Sequence, residues 1–182
     1  MPSNRCIILI DGSNFYFKLK DLKLHNLLNF DFSNFALKLS GKGKIIHATY
    51  YIGKVRTDGS KRTQEIFNNQ RKLFSHLQKH NFNYSLGYLL KSDGRFHEKG
   101  VDVNIAVDIL VAAYENICDR IITVSSDTDL LPAVKKAKEK KKIVEFVGFS
   151  HMPSYAMMNN CSKYTLLTKK DLLPFVVKNS QP

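Results

Sequence analysis

Short aliphatic and β-branched runs alternate with segments of helical periodicity along the whole chain, and this alternation constrains the fold more than any other feature. The first run, Arg5-Cys6-Ile7-Ile8-Leu9-Ile10, stops abruptly at Asp11-Gly12-Ser13-Asn14. An apolar run with no polar alternation, ended by a turn signal, predicts a parallel strand buried on both faces. Further strands are predicted at 45–52, 84–90, 121–124, 143–147 and 164–167, and 95–98 pairs with 84–90 as a hairpin across Ser92-Asp93-Gly94. Helical spacing predicts helices over 14–28, 32–39 (opening after Asp31, with Ser33 available as a cap), 63–80, 101–117, 128–142 and 154–160, and a last turn over 169–175. Strand–helix alternation of this kind means an α/β sandwich with a mostly parallel sheet. No repeat, low-complexity tract or linker divides it, so residues 1–182 are expected to form one domain.

In such sheets the reactive groups lie beyond the carboxyl ends of the strands. Acids collect at those places here. Asp11 follows the first strand, and Asp127 and Asp129 follow the strand at 121–124. Asp102 falls in the first turn of the helix that starts at Val101. Each has an ordinary structural role open to it: Asp102 and Asp129 as favourable charges at a helix N-terminus, Asp127 as a cap, Asp11 as a partner of the Gly12 turn. Carboxylates gathered at one edge repel, and a divalent cation relieves that repulsion. Hard oxygen donors at an open site suit Mg²⁺ or Mn²⁺ rather than Zn²⁺. Asp108 lies inside the apolar 101–117 helix. There it either joins the acid cluster or pairs with a group such as Lys99. Asn14 either orients a ligand or caps a helix.

The formal charge is +12, from 28 Lys and Arg against 16 Asp and Glu, which favours polyanionic partners. With 43% hydrophobic residues the chain can bury a core, which excludes a disordered basic tail. No apolar run reaches the ~18 residues of a membrane span, and the run at 6–10 is too short and too early for a signal peptide. A cytoplasmic location with no membrane contact is expected. Cys6, Cys118 and Cys161 make neither a disulfide framework nor a zinc pattern, and read as reduced core thiols.

Three blocks carry a resemblance: Asp11-Gly12-Ser13-Asn14; Lys99-Gly100-Val101-Asp102-Val103 with Asp108; and Ser125-Ser126-Asp127-Thr128-Asp129. In order and spacing they resemble the LabA-like NYN domain family of the PIN-like nuclease superfamily. The resemblance covers about residues 7–147 and leaves 148–182 as a C-terminal helix and strand extension. Ser126 stands where the family more often has Gly, and the basic 54–62 loop departs from the family's pattern. The resemblance implies a Rossmann-like PIN-type three-layer sandwich and a metal-dependent ribonuclease site. Carried onto this chain, it implies Asp11, Asp102, Asp127 and Asp129 as Mg²⁺ or Mn²⁺ ligands, with Asn14 completing the catalytic set. Asp108, Ser125 and Thr128 would support them, and Lys99 would approach a phosphate.

The expected reaction is in-line hydrolysis of an RNA phosphodiester, leaving a 5′-phosphate and a 3′-hydroxyl. The alternative is a catalytically silent RNA-binding or regulatory module on the same fold. The substrate is expected to be single-stranded RNA, held by Lys54, Arg56, Lys61, Arg62, Arg95 and Lys99. Tyr50, Tyr51, Tyr88 and Phe96 are either base-stacking or core residues. A homodimer is compatible with the sequence. The six lysines of 135–142 read as a solvated helix C-terminus. Ser13 occupies the position where a haloacid-dehalogenase-type phosphatase needs a second acid. The absence of Gly-x-Gly-x-x-Gly after the first strand argues against a dinucleotide enzyme. The six histidines form no spaced pair at the strand ends, which disfavours two-histidine hydrolysis.

Overall fold

Six parallel strands form the middle layer of a three-layer sandwich and set the architecture; β1 and β5 at its centre are almost wholly buried, and β7 is an exposed edge. The computed structural model describes residues 4–92 and 95–176, with the side chains of 89–98 outside the description. In chain order the elements are β1 (Arg5–Asp11), α1 (Gly12–Asp21), α2 (Phe32–Ser40), β2 (Lys44–Lys54), α3 (Lys61–Lys79), β3 (Asn83–Ser92), β4 (Arg95–Lys99), α4 (Val101–Tyr114), β5 (Arg120–Val124), α5 (Leu131–Glu139), β6 (Ile143–Phe149), α6 (Tyr155–Asn160), β7 (Lys163–Leu167) and α7 (Lys169–Leu172). The sheet order is β4-β3-β2-β1-β5-β6-β7. Only β4 is antiparallel, folded back on β3 as the expected hairpin. Without β4, the parallel strands run 3-2-1-4-5-6, the order of a doubly wound sheet. Its switch point lies at β1, which pairs with β2 on one side and β5 on the other.

The residues explain the layers. Ile8 and Ile10 of β1 face a core with α1, α2 and α3, while Ile7 and Leu9 face α4, α5 and α6. The first core is strongly aromatic: Phe15, Phe30 and Phe35 pack with centroids 5.3–5.7 Å apart, at edge-on and tilted angles. Phe175 adds a further ring to this cluster, 5.4 Å from Phe35. Each such buried ring contributes roughly 2–3 kcal/mol of transfer free energy. Cys6, Cys118 and Cys161 are buried free thiols, as expected.

Helix starts follow the caps in the sequence. Asp11, Asp31 and Ser60 accept from the backbone N–H three residues on, at Asn14, Asn34 and Thr63. The cap of α2 is therefore Asp31 and not Ser33, whose hydroxyl instead meets His80 Nδ1 at 2.9 Å. Helix ends fall earlier than periodicity predicts: α1 stops at Asp21 rather than 28, α4 at Tyr114 rather than 117, and α5 at Glu139 rather than 142. The cause is shared. Lys23, Asn81, Asn116 and Lys141 take positive φ, and the next residue bonds back five positions: Leu24 to Leu19, Phe82 to Leu77, Ile117 to Ala112, Lys142 to Ala137. These are left-handed helix stops without glycine.

Gly12 is needed for a different reason. A Cβ there would lie 2.3 Å from the Tyr50 ring and 2.5 Å from the Tyr51 carbonyl oxygen. The β1–α1 turn can approach β2 only because that atom is absent. Gly12→Ala is expected to destabilise the fold by about 1–3 kcal/mol, the cost of overpacking a closed site, as read by urea denaturation.

Candidate metal and nucleic-acid site

The upper edge of the sheet, at the carboxyl ends of the parallel strands, brings the three motif blocks together. Asp11 ends β1 and is nearly buried, at 5% exposure. Its Oδ1 accepts from the Asn14 N–H at 3.0 Å, which caps α1. Its Oδ2 accepts from the buried Ser125 hydroxyl at 2.9 Å, across from the end of β5. Asn14 Oδ1 in turn accepts from the Ser126 N–H at 3.3 Å. Ser125 Oγ also accepts from the Asp127 N–H at 3.1 Å, and Asp127 Oδ1 accepts from the Asp129 N–H at 2.8 Å. The β1 and β5 turns are thus laced into one unit. Asn14 acts as a tie between them, not as a cap.

Asp102 enters from the opposite side. Gly100, at φ +81°, lets the chain turn from β4 into α4 and places Asp102 in the first helical turn. Asp11, Ser13, Asn14, Phe17, Val101, Asp102 and Asp127 line a single open cleft of about 300 Å³. The Asp102 carboxyl is pushed up to about 6, first by burial and then by repulsion from Asp127, Asp11 and Asp129. The other three acids thus all bear on Asp102, although Asp129 itself is exposed. The lower edge is different. There Arg5 pairs with Asp119 at 3.2 Å, and Arg120 grips Glu145 with two bonds of 2.9 Å. Among the described residues, Asp102, Asp127 and Asp129 have no cationic partner.

The other expected residues divide clearly. Ser125 supports Asp11 as described. Thr128 is an exposed residue in the turn between Asp127 and Asp129. Asp108 lies six residues below Asp102, about 9 Å along the helix, and accepts from the Tyr51 hydroxyl at 2.5 Å. It is a structural pair rather than a member of the acid cleft, and its partner is Tyr51 rather than Lys99. Tyr50 and Tyr51 are fully buried, which removes them as base-stacking surfaces. Tyr88 is 63% exposed. Lys54, Arg56, Lys61, Arg62 and Lys99 are exposed; Lys54 ends β2 beyond the level of Asp11, and Lys99 immediately precedes the α4 turn. The side chains of Arg95 and Phe96 lie outside the described residues. Among the described lysines at 135–142, several are spent locally: Lys138 on the Asn160 carbonyl, Lys136 on Glu139, Lys140 over the Tyr114 ring.

Three cleft residues, Ser13, Phe17 and Val101, are absent from the sequence-based set. Phe17 had a readable signal. It lies about 200° from both Phe15 and Leu19 at 100° per residue, so it is an aromatic group out of phase with the α1 core stripe.

The donor set suits a hard cation: the polar side chains that line the cleft with Asp102 (Asp11, Ser13, Asn14 and Asp127) all offer oxygen. The geometry is open. Among the described residues no three His, Cys, Asp or Glu groups stand close enough to form a ready-made cage. That arrangement fits an ion which keeps much of its water shell, as Mg²⁺ does.

Comparison with known proteins places this geometry. The NYN domain family model matches residues 5–168.

The chain belongs to the NYN domain family.

NYN domains are PIN-like, and the match runs past Val147 through α6 and β7. An uncharacterized protein of Methanocaldococcus jannaschii is 27% identical over 156 residues, which are 86% of this chain and 52% of that protein. The chain thus spans about half the length of this relative. The crystal structure of a protein of unknown function from Vibrio parahaemolyticus has the same fold, with a TM-score of 0.67 at 23% identity, covering 91% of this chain and 93% of that one. Among the described residues no helix is long and apolar enough to cross a membrane.

The raised Asp102 pKa has a signed consequence. The folded NYN domain holds that proton to higher pH than the unfolded chain does, so Asp102 weakens the fold as pH rises from about 4 to about 6. In EDTA, Asp102→Asn is expected to remove this part of the pH dependence and to raise Tm at pH 7. Thermal melts of both proteins across that range provide the check.

Proposed function

We propose that this NYN domain is a Mg²⁺- or Mn²⁺-dependent ribonuclease, cutting single-stranded RNA within the chain. The observation that carries the reading is the convergence of Asp11, Asp102 and Asp127, from three separated segments, on one cleft where burial and then the neighbouring carboxylates raise the Asp102 pKa. Repulsion of this kind destabilises a fold, and a site that binds a cation and a phosphate gives it a use. Asp11, Asp102 and Asp127, with Asp129 at the rim, would hold the ion. When bound, it would acidify an attacking water and offset charge developing on the scissile phosphate. Ser125 and the Asn14 N–H hold the Asp11 carboxylate in one orientation, and Asn14 fixes the Asp127 turn against α1. Lys54, Arg56, Lys61, Arg62 and Lys99 supply the positive rim that attracts the chain of phosphates. Arg95 belongs to the same proposal by its place on β4.

A second reading has an observation of its own. Exposed Lys54, Arg56, Lys61, Arg62 and Lys99 would serve a silent RNA-binding module on this fold equally well. The two readings part in a cleavage assay with a labelled single-stranded RNA, in Mg²⁺, Mn²⁺ or EDTA. Cleavage is expected with either metal, and to fall at least about a hundredfold in Asp11→Asn, in Asp127→Asn and in EDTA. Cleavage that survives EDTA, or both substitutions, sinks the metal reading. Salt-sensitive binding without cleavage selects the module.

The basic rim has a separate test. Arg56→Ala with Arg62→Ala is expected to weaken RNA binding and to flatten the plot of log K against log salt, by up to about 1.4 for two lost phosphate contacts on a single strand. An unchanged slope removes this loop from the substrate path.

A further inference from the structure

The acid cleft does not end at Phe17. A second cleft, of about 520 Å³, begins there and shares Ser13 and Phe17 with the first. Its walls are mainly apolar and aromatic, with Tyr16, Phe17, Ile52, Val55, Ile66 and Leu73 among them. Tyr16 stands edge-on to both Phe17 and His25, at 5.5 and 5.9 Å. Three of the large apolar side chains that this surface exposes are gathered in it: Phe17 at 59%, Ile66 at 43% and Leu28 at 39%. Asn26 and Asn69 add amide groups to the lining.

Leu28 then connects this cleft to a third hollow, of about 420 Å³, lined by Arg71, Lys72, Ser75, His76 and Lys79. These five lie on one side of α3, and Arg71, Lys72 and Lys79 are exposed. Leu73 and Leu77, between them in sequence, face the core. Among the described residues none of these three cations makes an ion pair. A continuous path therefore runs from the acids, across an aromatic cleft, to a cationic helix face, linked at each junction by a shared side chain.

We infer that this path is the track of a single-stranded RNA, with bases against Phe17 and Tyr16 and the following phosphates at Arg71, Lys72 and Lys79. The inference rests on the acid cleft being the RNA-facing site, and it names where the strand leaves that site. A nucleobase needs a flat apolar wall with a few amide partners; a phosphate needs exposed cations at the next position. The order of chemistries along the path matches the order of groups along a strand. A duplex hides its base faces and cannot use the middle section. This track lies on the α1–α3 side of the sheet, across from the lysines of α5.

The test is binding, not cleavage: fluorescence anisotropy of a short, unstructured, dye-labelled RNA in EDTA at several salt concentrations. Phe17→Ala is expected to weaken binding on the order of tenfold without changing the salt slope, and Phe17→Tyr to restore it. Arg71→Ala with Lys79→Ala is expected to reduce the slope by about 1–1.4. Lys135→Ala with Lys138→Ala removes equal charge from the other face and is expected to leave the slope at its wild-type value. Duplex RNA of the same sequence should compete poorly. Equal slope losses from the two charge pairs would show diffuse attraction and overturn the track. So would an unaltered affinity in Phe17→Ala. Because the ion is absent from this assay, the track can hold where cleavage fails, and fail where cleavage holds.

Discussion

The Asp11 carboxylate serves two demands at once, and much of the upper sheet edge depends on it. One oxygen caps α1 through Asn14, and the other takes the hydroxyl of Ser125 from beyond β5. The first bond sets where the helix begins. The second joins the two central strands at the switch point of the sheet. Because both oxygens are held, the carboxylate cannot rotate away from its neighbours, and its charge bears on Asp102 from a fixed position. The acid that organises the turn is also one that loads the cleft with negative charge. In this protein those two roles cannot be separated by moving a side chain.

The contrast between the two edges of the sheet gives the acids their meaning. At the lower edge, Asp119 and Glu145 are neutralised by Arg5 and Arg120 in well-aligned pairs. With a charge of +12 the chain has cations to spare, yet none of those described sits on Asp102, Asp127 or Asp129. Lys54, Arg56, Lys61, Arg62 and Lys99 are instead exposed. Under the function proposed above, the net positive surface would draw in a polyanion and the negative cleft would take a cation.

The strands were legible because buried parallel strands read as apolar runs, and β1, β5 and β6 show this with little interruption. The cleft was legible because the carboxyl end of a strand is a place that topology fixes. Asp11, Asp102 and Asp127 could be placed at one edge before any coordinate was known. Asp108 could not be resolved in this way. Its partner, Tyr51, comes from a strand that sequence spacing does not align with α4. The early stops of α1 and α5 were hidden for another reason: Lys23 and Lys141 adopt a left-handed conformation, and lysine carries no signal for it, whereas Asn116 after α4 is a residue type that favours it. Phe17 was overlooked because a search for chemistry looks for polar groups, and its signal was only an aromatic ring on the wrong side of a helix.

Those left-handed stops have a consequence for the whole upper edge. Each is made by a backbone bond spanning five residues, and those after α3, α4 and α5 lie at the foot of the sheet, where the chain turns back into the next strand. Each works as a gauge that cuts its helix to length. The strand that follows α3, α4 or α5 begins only a few residues later, so its starting height is set by that cut. The height at which β5 delivers Asp127 beside Asp11 is therefore metered from below, by a turn at Asn116 that is not part of the cleft.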